Sequence, residues 1–125
     1  MADVLIIDDS PTQAANQRRI LESTGFNVLT ECDATLGLAT AKSKLPDVIL
    51  MDIVMPGMNG FQATRKLSKD PITKNIPVIL VSTKNQKIDR VWGARQGAKA
   101  YIAKPVNPAE LLEAIQKCLD QTIAH

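Results

Sequence analysis

Short apolar runs alternate with helix-like segments along the whole of this chain, and that alternation restricts the possible architecture more than any other feature. "VLII" (4 to 7), "FNVLTE" (26 to 31), "DVILMD" (47 to 52), "IPVILVS" (76 to 82) and "KAYIAK" (99 to 104) make five candidate strands. The first, third and fourth are nearly unbroken Val, Ile and Leu, the composition of parallel strands covered on both faces. Helix signals fill the gaps. Ser10 followed by Pro11 reads as an N-cap and first-turn pair, and Gly25 as the stop. Asn107, Pro108 and Glu110 repeat that start before a last helix, whose Leu111, Leu112, Ile115, Cys118 and Leu119 fall on one stripe. Ile88, Val91 and Trp92 make a shorter stripe closed by Gly97.

Strict βα alternation predicts an α/β, flavodoxin-like (βα)5 three-layer sandwich: a five-stranded parallel sheet in the order 2-1-3-4-5 with helices on both faces. With 125 residues and no linker or repeat, residues 1–125 read as a single domain with no output domain attached. The net charge of +2, with Lys and Arg scattered rather than clustered, argues against a nucleic-acid partner. One Trp, one Tyr and two Phe leave little for base stacking. Cys32 and Cys118 have no metal-ligand spacing and read as reduced thiols packed as small apolar groups; the single His is His125, at the end of the chain. No signal peptide precedes the first strand, and no apolar stretch approaches the roughly 18 residues a membrane span needs. The expectation is a cytoplasmic protein without membrane insertion.

In such a sheet ligands bind beyond the carboxyl ends of the strands, near the switch point between strands 1 and 3. Strand 1 ends in Asp8 and Asp9, strand 3 in Asp52, strand 4 in Ser82 and Thr83, and strand 5 in Lys104. Taken singly, each has a plain role: Asp8 as a helix cap, Asp9 as a solvated loop acid, Asp52 as a turn residue, Ser82 as a strand-end hydroxyl, Lys104 as a surface lysine. Together they make a pocket. Carboxylates crowded to about 4 Å repel by roughly 1 to 4 kcal/mol per pair, so a cation or protonation must complete the cluster. An oxygen-only donor set selects a hard ion, Mg²⁺ or Mn²⁺. A carboxylate can attack phosphorus to give an aspartyl phosphate, with Lys104 and Ser82 meeting the other phosphoryl oxygens.

The motifs "IIDDS", "ILMDIVMPGMNG", "VILVST" and "YIAKP", in that order, resemble those of the receiver domain of two-component response regulators, over roughly residues 3 to 120. The resemblance implies that Asp52 is the phosphoacceptor and that Asp8, Asp9, Asp52 and the backbone carbonyl of Val54 hold Mg²⁺. It implies that Ser82 contacts the phosphoryl group, that Lys104 neutralises it and that Tyr101 is a rotameric switch. Tyr101 read alone is a half-buried strand residue. The surface switched would be the fourth helix, fifth strand and fifth helix. The family usually has the bond before Pro105 in cis, and uses the positions of Val54 and Lys84 to set phosphoryl lifetime. A narrower resemblance, carried by "DIVMPGMNGFQATRKL" (52 to 67) and "VWGARQGAKAYIAKPV" (91 to 106), is to PilH-like regulators of type IV pilus twitching motility. Trp92 faces either the core or a partner.

The resemblance implies a non-enzymatic, mostly monomeric phosphoacceptor, served by a CheA-like histidine kinase and acting on a protein partner related to the pilus motor. A phosphate sink and a non-phosphorylated interaction module are the alternatives. A phosphatase of the haloacid-dehalogenase type is disfavoured, because it needs a second Asp where this chain has Val54.

Overall fold

The computed structural model describes residues 2–123; His125 lies outside them. Five strands, β1 (Asp3–Ile7), β2 (Asn27–Glu31), β3 (Val48–Asp52), β4 (Val78–Ser82) and β5 (Ala100–Ala103), alternate with five helices. These are α1 (Pro11–Glu22), α2 (Ala34–Lys44), α3 (Gly60–Lys69), α4 (Lys87–Gln96) and α5 (Pro108–Ile123). The strands are parallel and run β2-β1-β3-β4-β5 across the sheet, the order the alternation predicts.

Successive side chains along each strand go to opposite faces, so each apolar run feeds two cores. Val4, Ile6, Val48, Leu50, Ile79 and Val81 pack with Leu21 of α1 and Leu111, Ile115 and Cys118 of α5. Leu5, Ile7, Ile49, Met51, Val78 and Leu80 pack on the other face with Ala34 and Ala41 of α2 and Ala63 and Leu67 of α3. Complete burial of a Leu or Ile is worth about 1.5–3 kcal/mol, and β1, β3 and β4 carry most of these residues. The three strands that end in Asp8, Asp52 and Ser82 are therefore the most firmly held part of the sheet.

The predicted caps form. Ser10 Oγ accepts from the Gln13 amide at 3.3 Å, and Asn107 Oδ1 from the Glu110 amide at 3.1 Å. Asp33 caps α2, accepting from the Leu36 amide at 2.8 Å. The two thiols differ: Cys118 packs in the core, whereas Cys32, just beyond the edge strand β2, is exposed instead of packed.

On α4 the side of the stripe, open from the sequence, is decided. Its apolar stripe faces outward, with Ile88 71%, Val91 45% and Trp92 48% exposed. The inner face is Asp89, Gly93 and Gln96. A Cβ at Gly93 would lie 2.6 Å from Leu80 Cδ1 and 3.5 Å from the Tyr101 ring. The helix thus approaches the sheet too closely for a large apolar residue beneath it.

Candidate functional site

The sheet register brings the strand-terminal residues together. Ile7 pairs with Met51, so Asp8 and Asp52 follow side by side on β1 and β3. Asp52 pairs with Val81, which puts Ser82 one residue further along β4. Ser82 pairs with Ala103, and Lys104 comes next. Lys104 Nζ donates to Asp8 Oδ2 at 3.0 Å and to Asp52 Oδ1 at 3.2 Å. Its amide donates to the Ser82 carbonyl at 2.9 Å, and the Lys104–Pro105 bond is cis.

Asp8, Asp52 and Ser82 are buried, while Asp9 is exposed at the mouth. One carboxylate oxygen from each of Asp8, Asp9 and Asp52 lies within 4.8 Å of the others. The capping role weighed for Asp8 coexists with its place in the cluster. Its Oδ1 accepts from the Ser10 amide at 2.9 Å, which leaves Oδ2 for Lys104.

The pocket is short of positive charge. Burial and the neighbouring Asp8 push the Asp52 carboxyl up from its ordinary 3.8 to about 6, and Lys104 only partly opposes them. A hard divalent ion would supply the missing charge, and three carboxylates with no His or Cys ligand among the described residues suit one.

The loop after β3 is built around that aspartate. The Gly60 amide donates to the Ile53 carbonyl at 2.9 Å, and a Cβ at Gly60 would come within 2.1 Å of the Asp52 carbonyl oxygen. Only glycine allows α3 to begin there. Asn59 and Gln62 form a reciprocal capping box, with both bonds at 2.9 Å. Ile53 and Met55 anchor the loop in the core, so the Val54 side chain between them projects outward and is 58% exposed.

Ser82, Lys84 and Tyr101 form a second connected group. Ser82 Oγ accepts from the Lys84 amide at 3.1 Å, and the Tyr101 hydroxyl donates to the Lys84 carbonyl. Burial, then the nearby Asp89 charge, raise the Tyr101 phenol above its ordinary value. Tyr101 thus reaches the loop after Ser82 rather than the carboxylates. Sequence reasoning missed Arg90, whose guanidinium lies 5.1 Å from the Tyr101 ring centroid and bonds the Tyr101 carbonyl at 3.2 Å and Asn85 Oδ1 at 2.6 Å. Its contacts cross from α4 to β5, and no local pattern signals them.

A doubly wound sheet with an acidic cluster and a lysine at its carboxyl edge is the arrangement of a receiver domain. Residues 4–116 match the response regulator receiver domain family, and the chain belongs to that family. It is 53% identical to the protein PilH of Pseudomonas aeruginosa over 119 residues, 95% of this chain and 98% of PilH. The response regulator PleD of Caulobacter vibrioides is 36% identical over 92% of this chain, which spans only 25% of PleD. Among solved structures, the Vibrio cholerae chemotaxis protein CheY4 superposes with a TM-score of 0.89 at 32% identity, covering 95% of this chain and 99% of CheY4.

The chain is accordingly a signalling domain, not a member of a catalytic enzyme family. Receiver domains generally bind Mg²⁺ at an acidic pocket and receive phosphate from histidine kinases. Among the described residues no helix is long and apolar enough to cross a membrane.

Proposed function

We propose that this domain is a cytoplasmic, mostly monomeric phosphorylatable switch in which Asp52 accepts the phosphoryl group. The observation that carries the reading is the Asp52 carboxylate itself, buried beside Asp8 and bonded by Lys104 at 3.2 Å. A carboxylate oxygen of Asp52 attacks phosphorus, the bond to the donor nitrogen breaks, and its electron pair stays with the imidazole of a CheA-like histidine kinase. Lys104, already aimed at Asp52, then faces the new phosphoryl oxygens, and the Ser82 hydroxyl turns to meet them. Mg²⁺ held by Asp8, Asp9, Asp52 and the Val54 carbonyl would neutralise charge on the transferring group; Mn²⁺ would serve similarly.

If Ser82 turns, its bond from the Lys84 amide breaks, and the Lys84 carbonyl that holds the Tyr101 hydroxyl is released with it. New charge at one place would then alter packing among α4, β5 and α5. The exposed Ile88, Val91 and Trp92 favour an output surface over a phosphate sink, because a sink needs no apolar docking row. The similarity to PilH supports a role in type IV pilus twitching motility and a partner related to the pilus motor. Val54 and Lys84, both exposed at the pocket rim, would tune phosphoryl lifetime.

The test is incubation with acetyl phosphate and Mg²⁺, read by intact mass. One added phosphoryl group is expected in the wild type and none in Asp52→Ala or after chelation by EDTA. Equal labelling of Asp52→Ala would sink the assignment.

A further inference from the structure

We propose that the groove between α2 and α3 is a second protein-docking surface, and that its occupant is an acidic amphipathic segment of a partner protein. The groove has a volume of about 1030 Å³ and runs from Gly57 and Met58, in the loop after β3, along α3 to Lys69. It shares no lining residue with α4, β5 or α5. Leu38, Met58 and Leu67 make its apolar floor, and Arg65, Lys66 and Lys69 stand exposed along its rim.

Most of the rim charge has no ion-pair partner among the described residues. Lys42 bridges the groove to Asp70 at 2.9 Å, which occupies that acid. Arg65, Lys66 and Lys69 form no ion pair among the described residues. Arg65 and Lys69 are four apart on one helix, where like charges destabilise the free helix. Favourable placement near the negative end of α3 accounts for Lys66 and Lys69, but not for Arg65, a turn earlier. Uncompensated cations around an apolar floor fit a helix with carboxylates on its flank and Leu or Phe on its face. Met58 in the floor suits such a contact, because its flexible thioether adapts to irregular shapes. The proposal is independent of phosphorylation at Asp52.

The probe is a synthetic amphipathic peptide of about three helical turns, with Glu on one flank and Leu on one face. It is titrated into the ¹⁵N-labelled chain and followed by amide shifts. Shifts confined to α2, residues 57–58 and α3 are expected, with affinity falling about tenfold or more in Arg65→Glu/Lys69→Glu and as salt is raised. Lys117→Glu, a charge reversal on the outer face of α5, should leave the titration unchanged, and Met58→Ala should weaken it several-fold. Three results would overturn the proposal: no groove-localised shifts, equal binding by the double variant, or equal binding by a peptide with Ser in place of Leu. A salt-sensitive dimer of the free chain, abolished by the double variant in sedimentation velocity, would assign the groove to a second copy and overturn it equally.

Discussion

The strand-end pocket and the outer face of α4 break the usual inside–outside division in opposite directions. In the pocket two carboxylates and an ammonium are buried, with Asp8 3% and Asp52 7% exposed. On α4, whose Gly93 and Arg90 lie against Tyr101, three large apolar side chains are 45–71% exposed. Neither arrangement favours the isolated domain. Buried charge carries a desolvation cost, and an exposed apolar row forfeits burial. Locally unfavourable choices of this kind concentrate where a protein meets something else. The pocket is suited to receive charge and the α4 face to receive apolar surface, and Tyr101 with Arg90 lies between them.

Removal of the buried ammonium should disturb the pocket most. Lys104→Met leaves Asp8 and Asp52 facing each other without their shared cation. Loss of one partner from a buried pair costs about 3–5 kcal/mol, and a destabilisation at the lower end is expected near neutral pH, because Asp52 can escape part of the penalty by taking up a proton. Urea unfolding without Mg²⁺ measures it. Adding Asp52→Asn to Lys104→Met should restore most of the loss, which a role for Lys104 in packing alone would not produce.

Removing the buried carboxylate should act in the other direction. A carboxyl raised from 3.8 to about 6 corresponds to a penalty of about 3 kcal/mol once it is ionised in the folded state. Below pH about 4 both folded and unfolded chains hold the proton, and no penalty applies. Between about 4 and 6 the unfolded chain ionises while the folded one does not, so stability falls as pH rises; above about 6 the penalty is complete. Asp52→Asn should therefore stabilise the metal-free domain by about 1–3 kcal/mol at pH 7.5, with the advantage vanishing near pH 4. Wild type at 100-fold excess of Mg²⁺ over its dissociation constant should regain about 2.7 kcal/mol and close the gap. A pH-independent difference would show that Asp52 is not the titrating group.

The two regions were also unequally legible in the sequence. β1, β3 and β4 could be read directly, because strands covered on both faces are continuous apolar runs. Most of the pocket was legible for the same reason, since Asp8, Asp52 and Ser82 each stand where such a run stops; Lys104 ends the less buried β5. α2 left little signal. Its buried residues are Ala34, Gly37 and Ala41, small side chains that pack well yet give no apolar periodicity. The α4 face stayed open because periodicity reveals a stripe but not what the stripe meets. The deciding residue was Gly93, whose missing side chain draws the helix onto Leu80. Val54 was opaque until its neighbours were placed: burial of Ile53 and Met55 turns it outward.

The smallest expected effect on stability lies on α4 and is the sharpest test of the contrast. Trp92→Ala and Ile88→Ser remove large apolar side chains, but from positions 48% and 71% exposed. Each should change unfolding free energy by less than about 0.5 kcal/mol, against about 2–5 kcal/mol for Ile115→Ala in the core. Labelling by acetyl phosphate should proceed as in the wild type, because neither residue reaches the carboxylates. What should be lost is retention of the output partner in a pull-down with phosphorylated protein. A loss of 2 kcal/mol or more on Trp92→Ala would make the apolar row a structural element of the isolated domain. Unchanged stability with unchanged partner retention would remove α4 from the output surface, leaving the pocket as the one region whose departure from the rule serves binding.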